Sequence, residues 1–562
     1  MRTRNILLAA SACLAVALLF VGSKLLRGQP ADPLALTGQV TSADEGPMEG
    51  VLVSAKKADS NISVTVVTNK QGHYQFGSDR LSPGQYSLSI RAEGYDLAGP
   101  STVDVPSQKT ATADLKLDKT NNLASQLTNT EWIMSFPGTE QQRESVRGCT
   151  HCHTLERIVR SSHDEAEFRQ VIERMSNYTP ESFPLMIQPP NRGERMGGGE
   201  MTTERKEQRE ESRLKLAKYL STLNLSSTSK WEYPLKVLPR PTGEATRVVV
   251  TKYDLPKRTR QPHDVIVDSQ GMVWYASFGE PILGKLDPKT GKITEYPVPV
   301  VKPGYIFGTL DIEFDKDQNI WLAMTFQGAV AKFDRKTEKF QVFRLPPNLD
   351  GDYRELTFVA PQHSDVDGKV WINDSGTWTQ LRLDVATGKF EVFEPFPIPR
   401  PNTYQMASDS YNNGWFFVFG RQNIGKIDAK TGKISIYDVP TPHSMPRRGM
   451  VDSQNRVWFA ENFGNKVGMF DPQAEQFKEW PISTKYYYPY DVTADKEGDA
   501  WAVTEYADRV LRLNTKTGQS VEYLLPDHTN MRRAWVDNST APPTFWVGNT
   551  HGASILRVQP MD

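Results

Sequence analysis

Cysteine is scarce in this sequence of 562 residues, which contains three. Cys13 lies in an apolar run near the N-terminus, so Cys149 and Cys152 are the two that remain for the rest of the chain. A structural zinc site needs four ligands of thiolate or imidazole type. These two cysteines supply half of such a set, and a zinc site would need two further ligands from elsewhere.

An excess of charge of either sign is also lacking. Lysine and arginine number 66, and aspartate and glutamate number 67, which gives a net charge of −1. This balance argues against nucleic acid as a partner and against a polybasic membrane patch. Hydrophobic residues make up 38% and charged residues 24%, which is typical of soluble globular domains, and the length predicts about three or four of them.

Long apolar runs are missing after residue 22. The one such run, residues 6–22, follows the basic start MRTRN and has the pattern of an export signal. Its length of 17 residues suits a cleaved signal peptide or an uncleaved anchor about equally. We therefore expect residues 1–30 to be a signal peptide or membrane anchor. The rest of the chain is then expected in the periplasm, attached to the membrane through this segment alone.

The two remaining cysteines belong to the pentad Cys149-Thr150-His151-Cys152-His153. This is a C-x-x-C-H motif, which is typical of covalent c-type haem attachment. Two thiols form thioethers to the haem, and the adjacent histidine is the proximal iron ligand. A thioredoxin-like dithiol would need a βαβ setting, which is absent. The pentad thus predicts one covalent haem c, and a disulfide hairpin with a chance histidine is the alternative.

Residues 34–119 contain short β-rich runs separated by glycine, proline, aspartate and serine, which predict strands. The stretches GHYQF at 72–76, PGQY at 83–86 and EGY at 93–95 resemble the carboxypeptidase regulatory-like domain. The resemblance implies a small immunoglobulin-like β-sandwich that acts as an accessory module. We expect it to be a structural spacer.

Residues 120–230 have a helical pattern, with apolar residues at i, i+3, i+4 and i+7 after Phe168 and after Leu216. Together with the pentad, this segment resembles a small all-α, monohaem class I cytochrome c domain. The resemblance implies a methionine as sixth iron ligand. Arg174-Met175 matches the Arg-Met pair found in such domains, so Met175 is the predicted ligand, and core packing is its alternative role. Met186 is the second candidate for the sixth ligand.

From residue 246 the chain repeats. Its repeating tryptophans lie 43 to 50 residues apart, at positions 274, 321, 371, 415, 458, 501 and 546. An aspartate precedes the first six of them by six places, and each unit has room for four short strands. Seven such units predict a seven-bladed β-propeller over residues 246–562. The stretch 246–256 looks like a spare outer strand that completes the last blade.

The repeat PHDVIVDSQGMVWYASFGEPILGKLDPKTGKITEYPVP at 262–299 resembles those of the virginiamycin B (streptogramin) lyase family. The resemblance implies elimination across a C–O bond, with Mg²⁺ bound by glutamate and histidine at the propeller mouth. Glu461, Glu505 and His551 occupy comparable loops, with His551 as the candidate general base. Fewer matching ligands are present than the reaction needs, so retention of the lyase activity is an open point.

In each unit, counting back from the turn aspartate that precedes the tryptophan leads to the start of the innermost strand. The residues at these positions are expected to surround the central channel. They comprise His263, Asp264, Asp311, Arg448, Tyr490, Asp491 and Arg533, together with Arg447, Arg532 and uncharged residues. Such a charged ring can bind a polar ligand, or a metal on its acidic side. The alternative is a solvated funnel with internal ion pairs.

These features predict a mainly β, three-domain, exported haem protein. The first hypothesis is electron transfer, in which the propeller binds a substrate or a redox partner protein and the haem passes electrons on. In its stronger form the protein is a periplasmic dehydrogenase. A Mg²⁺-dependent lyase with an appended cytochrome is the second hypothesis, and a non-catalytic haem sensor or binding protein is the third.

Overall fold

The computed structural model describes residues 33–179, 181–188, 202–224 and 233–561. The predicted signal or anchor at 1–30 lies outside these residues, and so does Cys13. No helix in the described part of the chain is long and apolar enough to cross a membrane.

The N-terminal region is the predicted immunoglobulin-like β-sandwich. Its ten strands are β1–β10 (Leu34–Ser42, Gly46–Pro47, Leu52–Lys57, Ile62–Val67, His73–Gly77, Gly84–Arg91, Tyr95–Gly99, Thr102–Val105, Ala111–Thr112, Leu115–Lys119). One sheet is built around β1, and the other has the order β4-β3-β6-β8. Alternate residues along the strands face inward, and Leu36, Val53, Phe76 and Leu115 are fully buried between the two sheets.

A helical segment follows the sandwich. The described residues hold five α-helices, α1–α5 (Asn129–Ser135, Glu140–Glu144, Glu156–Val159, Glu165–Met175, Thr203–Leu223), and 3₁₀ turns at Leu123–Gln126, Arg147–His151 and Gly243–Thr246. Capping boxes start several of these helices. Thr128 accepts a hydrogen bond from the Glu131 backbone N–H, and Asp164 accepts one from that of Glu167. Trp132 and Leu220 are buried in one apolar cluster that joins α1 to α5.

The remaining strands form the propeller. The first six blades are β12–β15 (Pro262–Val267, Val273–Ser277, Ile282–Leu286, Ile293–Pro297), β16–β19 (Gly308–Phe314, Ile320–Thr325, Ala329–Asp334, Lys339–Arg344), β20–β23 (Leu356–Ala360, Lys369–Asp374, Thr379–Asp384, Phe390–Phe393), β24–β27 (Met406–Ser408, Gly414–Val418, Asn423–Ile427, Ile434–Asp438), β28–β31 (Pro446–Val451, Val457–Glu461, Lys466–Asp471, Gln476–Pro481) and β32–β35 (Pro489–Ala494, Ala500–Thr504, Arg509–Leu513, Ser520–Leu524). Blade 7 has β36–β38 (Trp535–Asp537, Thr544–Asn549, Ser554–Pro560) and β11 (Val248–Asp254).

The repeated aspartate and tryptophan form a hydrogen bond within most blades. In blade 1 the Trp274 indole N–H donates to Asp268 at 2.9 Å, and the same aspartate accepts two backbone N–H groups of its own hairpin turn. This contact recurs in blades 2, 4, 5 and 6. Blade 3 differs, because Trp371 donates to the backbone carbonyl of Asn412 while Asp365 pairs with Lys316. The repeating aspartates therefore cap turns.

Strand β11 closes the ring and also joins it to the sandwich. One of its edges pairs with β38, as the repeat pattern predicts, and its other edge pairs with β4. The result is one eight-stranded sheet in the order β36-β37-β38-β11-β4-β3-β6-β8. The sandwich is thus a sheet extension of blade 7, which goes beyond the expected role of a spacer.

Replacing Thr251 by proline should destabilise the whole chain. Thr251 lies opposite Arg557 on one side and Val64 on the other, so proline at this central position removes a ladder donor and crowds both neighbours. We expect a loss of about 3 kcal/mol in the free energy of unfolding, measured by urea denaturation. Thr251→Ser, which keeps the backbone N–H, should cost far less. An unchanged midpoint for Thr251→Pro would contradict the continuous sheet.

Candidate functional site

The site is built at one end of the central channel, where the inner strand of each blade begins. We call this end the mouth. Five inner strands change register there, for example between Pro262 and Val265 in β12 and between Pro446 and Gly449 in β28. A β-bulge re-aims consecutive side chains. This explains how neighbours such as Arg447 and Arg448 both contact residues of other blades.

The charged ring predicted from the repeats is an ion-pair network that fills the channel below the mouth. The Arg448 guanidinium donates to Asp264 at 2.6 and 2.7 Å and to Asp311 at 2.7 Å, and all three side chains are buried. Arg533 contacts the same two aspartates at 3.2 to 3.3 Å and Glu313 at 2.5 Å. These contacts are internal ion pairs, but the side chains are buried and not solvated as the funnel alternative supposed. Ligand binding by the ring stays a prediction.

Burial and pairing set the protonation of this network. Burial alone would raise the pKa of Asp264, but the Arg448 guanidinium outweighs it and holds that pKa well below its usual range. Burial and the neighbouring Asp264 raise the pKa of Asp311, and burial raises that of Asp491 to about 6. His263, whose Nδ1 lies 2.7 Å from Asp264, has its pKa lowered by burial to about 4 and is neutral at pH 7.

The cysteine pentad lies directly on the mouth. The Arg532 side chain donates to the carbonyl oxygen of His151 at 2.7 Å, and His551 Nε2 lies 3.0 Å from the same oxygen. The Asn530 amide donates to the Thr150 carbonyl at 3.2 Å. The propeller thus contacts the backbone of the pentad through three separate side chains.

Glu505 holds the arginines of the mouth in place. Its carboxylate forms ion pairs of 3.1 Å with Arg447 and with Arg532. Burial would raise the pKa of Glu505, but Arg447, His151 and Arg532 together lower it to about 2. The carboxylate is therefore ionised, and it keeps one guanidinium against the pentad carbonyl.

The structure also shows where the other two residues implied by the lyase resemblance, His551 and Glu461, are located. A carbonyl oxygen only accepts, so His551 Nε2 donates to it, and the ring stacks on Phe183 with centroids 6.5 Å apart. Burial and Arg532 lower the pKa of His551 to about 3. Glu461 ends β29 opposite Pro446, at the mouth end of blade 5, but its carboxyl group lies near Glu479 of the same blade, and burial raises its pKa to about 8. Within the described ranges, no three His, Cys, Asp or Glu side chains converge as a metal-ligand set.

The pentad has the chemistry that haem attachment requires. Cys149 and Cys152 are half-buried and not joined in a disulfide. Burial raises the pKa of Cys149 to about 12 and also raises that of Cys152, so both are neutral thiols rather than a reactive dithiolate. His153 Nδ1 donates to the Thr154 carbonyl at 2.8 Å, which leaves the Nε2 lone pair for a metal.

The two candidate sixth ligands are in different settings. Met175 ends α4 and is 38% exposed. Met186 lies in a turn in which Phe183 and Met186 exchange backbone hydrogen bonds. The Met186 methyl group occupies the space where a Cβ on Gly279 would lie, at 2.4 Å, so this side chain packs against the propeller. The choice of sixth ligand stays a prediction.

Arg147, which the sequence interpretation missed, anchors the pentad to blade 5 and blade 6. Its guanidinium lies between the rings of Phe463 and Tyr488, at 3.4 and 3.5 Å from their centroids. It also donates to the Asn462 side chain at 2.8 Å, and the Tyr506 hydroxyl donates to the Arg147 carbonyl at 3.2 Å. These partners lie more than 300 positions away in the chain, and no local pattern signals the contact.

Comparison with known proteins identifies the two β domains. The virginiamycin B lyase family matches residues 304–561. The C-terminal domain is a virginiamycin B lyase-like propeller. The carboxypeptidase regulatory-like domain matches residues 35–118. Neither match covers the helical segment, and no curated protein matches the chain.

Solved structures are similar over the propeller. A streptogramin B lyase structure is 20% identical with a TM-score of 0.50, and it covers 57% of this chain and 100% of its own. The virginiamycin B lyase from Staphylococcus aureus is 21% identical with a TM-score of 0.48 over 56% of this chain and 100% of its own. At this identity the likeness shows the propeller fold, and no reaction follows from it.

A second contact between the helical segment and the propeller involves a histidine. His528 Nδ1 lies 2.9 Å from Asp508, and its Nε2 lies 3.2 Å from the Ser125 carbonyl. Both partners are acceptors, so both ring nitrogens must carry a proton. Burial and the nearby Arg91 would lower the pKa of His528, but the hydrogen bond to Asp508 and its charge raise it overall.

Stability should therefore fall with pH through His528. A histidine whose pKa is higher in the folded state than in the unfolded state stabilises the protein fully at pH values below its unfolded-state pKa of about 6.5. This contribution is lost as the pH rises through the folded-state pKa. The side chain is 38% exposed, so we expect about 0.5–1 kcal/mol. The measurement is Tm between about pH 6 and pH 9. His528→Asn should flatten the pH dependence, while the exposed His443→Asn should not, and equal slopes in all three proteins would contradict the assignment.

Proposed function

We propose that the chain is an exported c-type haem protein of electron transfer, in which Cys149 and Cys152 attach one haem and His153 is its proximal ligand. The observation that carries this proposal is the pentad itself: two free thiols and an imidazole whose Nδ1 donates to the Thr154 carbonyl. When bound, the haem iron supplies a one-electron couple. The basic start and apolar run before residue 23 support export.

In this proposal the propeller holds the helical segment that carries the haem. Arg532 and Asn530 bind the pentad backbone, and Arg147 of the helical segment donates to Asn462 of blade 5. In the channel below, the side chains of the Arg448 network are buried and paired with one another, so none of them is free to bind a substrate charge. We therefore favour an electron carrier that exchanges electrons with a redox partner protein over a dehydrogenase that oxidises a substrate at the mouth.

A lyase-like or binding function is the second candidate, and the family match over residues 304–561 favours it. The contacts at the mouth oppose a lyase in this arrangement. His551 donates its Nε2 proton to the pentad, and its pKa of about 3 makes it a weak base. Glu505 is held between two arginines. A substrate would have to displace the helical segment to reach either residue.

The test is covalent haem in the full-length chain, produced in a host that matures c-type cytochromes. Mass after denaturation and the α-band after reduction with dithionite report attachment. We expect one haem in the native sequence, and none retained in the double variant Cys149→Ala/Cys152→Ala. Cys13→Ala is the matched control and should keep its haem. A native chain without covalent haem, in cells that mature another c-type cytochrome, would overturn the proposal.

A further inference from the structure

The channel has a second end, opposite the mouth, and this end holds a cavity of about 220 Å³. Its walls are the later residues of the inner strands, from Glu313 in blade 2 to Trp535 in blade 7. Since a water molecule occupies about 30 Å³ in the liquid, the cavity has room for roughly seven waters. This is about the size of a monosaccharide, and His363 and Trp535 are only half-buried, so the cavity is reached from solvent.

The charged groups at the inner end of this cavity are already paired. Glu313 bonds Arg533 at 2.5 Å, and Arg533 continues into the buried network. Asp491 accepts the backbone N–H groups of Val492 and Ala534. Burial lowers the pKa of His363, which supports a neutral imidazole at pH 7. A charged ligand would have to lose its hydration here without an unpaired countercharge, which is costly.

The uncharged lining offers both hydrogen-bond donors and acceptors beside apolar surface. Gln362 Oε1 is buried and has no hydrogen-bond partner among the described residues. The Gln405 oxygen accepts the Gly449 N–H, so its amide N–H₂ is the end left for other partners. His363 contacts the Ser408 hydroxyl at 3.1 Å. Hydroxyl groups both donate and accept and therefore match such a mixed lining.

We infer that this end of the channel binds a small, uncharged, polyhydroxylated molecule of about monosaccharide size. Trp535 provides the aromatic surface for its C–H face, and Gln362, His363 and Gln405 bind its hydroxyls. The inference is independent of the haem, because the cavity lies beyond the Arg448 network from the pentad.

The test is calorimetric titration of the full chain with D-glucose, D-galactose, D-mannose, L-arabinose and myo-inositol, followed also by tryptophan fluorescence. D-glucosamine and D-glucuronate are the charged comparators. We expect saturable binding of at least one neutral probe, and a loss of tenfold or more in affinity for Trp535→Ala and for His363→Ala. Tyr411→Ser is the matched control, because Tyr411 lies at 66% exposure in the β24–β25 turn of blade 4 and its side chain does not line the cavity.

Three outcomes would overturn the inference. The first is no saturable binding of any neutral probe by a chain whose circular dichroism shows it folded. The second is binding of a charged comparator alone. The third is binding that neither Trp535→Ala nor His363→Ala weakens while both variants remain folded.

Discussion

Glu505 lies between the guanidinium groups of Arg447 and Arg532, and the arrangement of the mouth depends on this buried pair of contacts. Removing one member of a buried ion pair typically costs about 3–5 kcal/mol, because the partner is left charged without compensation. Both arginines are therefore fixed in position. Arg532 can then present its N–H groups to the pentad carbonyl, while the Arg447 guanidinium stacks 3.6 Å from the Tyr490 ring.

The mouth of this propeller is covered by another part of the chain, which distinguishes it from an open propeller. The helical segment occupies the end at which the inner strands begin, and the Arg448 network fills the channel beneath it. The sandwich is bound to blade 7 through β11, so both the sandwich and the helical segment contact the propeller directly.

Much of the fold could be predicted from the sequence because its signals are local and periodic. The tryptophans recur at nearly constant spacing, and each aspartate six places earlier bonds its indole in five blades. Blade 3 could not be distinguished in this way, since Asp365 keeps the spacing but pairs with Lys316 instead. The spare strand at 246–256 was predicted because blade 7 lacked one, whereas its second pairing with β4 had no signal.

The site was predictable only in part. The residues around the channel follow from the repeat, but whether Arg448 and Asp264 face a ligand or each other depends on distances across the ring. The position of the pentad on the propeller depends on contacts such as that between Arg147 and Phe463, which join segments that are distant in the sequence. His551 was identified as a candidate base from its loop, and its pairing with the His151 carbonyl could not be read from the sequence.

The measurement that tests the central claim most directly is the reduction potential of the haem in Arg532→Gln and Glu505→Gln, by spectroelectrochemical titration. If the haem is attached at the mouth, loss of the Arg532 cation should lower the potential, and loss of the Glu505 carboxylate should raise it. Shifts on the order of 60 mV correspond to a tenfold change in the one-electron equilibrium. Potentials equal to that of the native chain in both folded variants would contradict a haem seated on the propeller mouth.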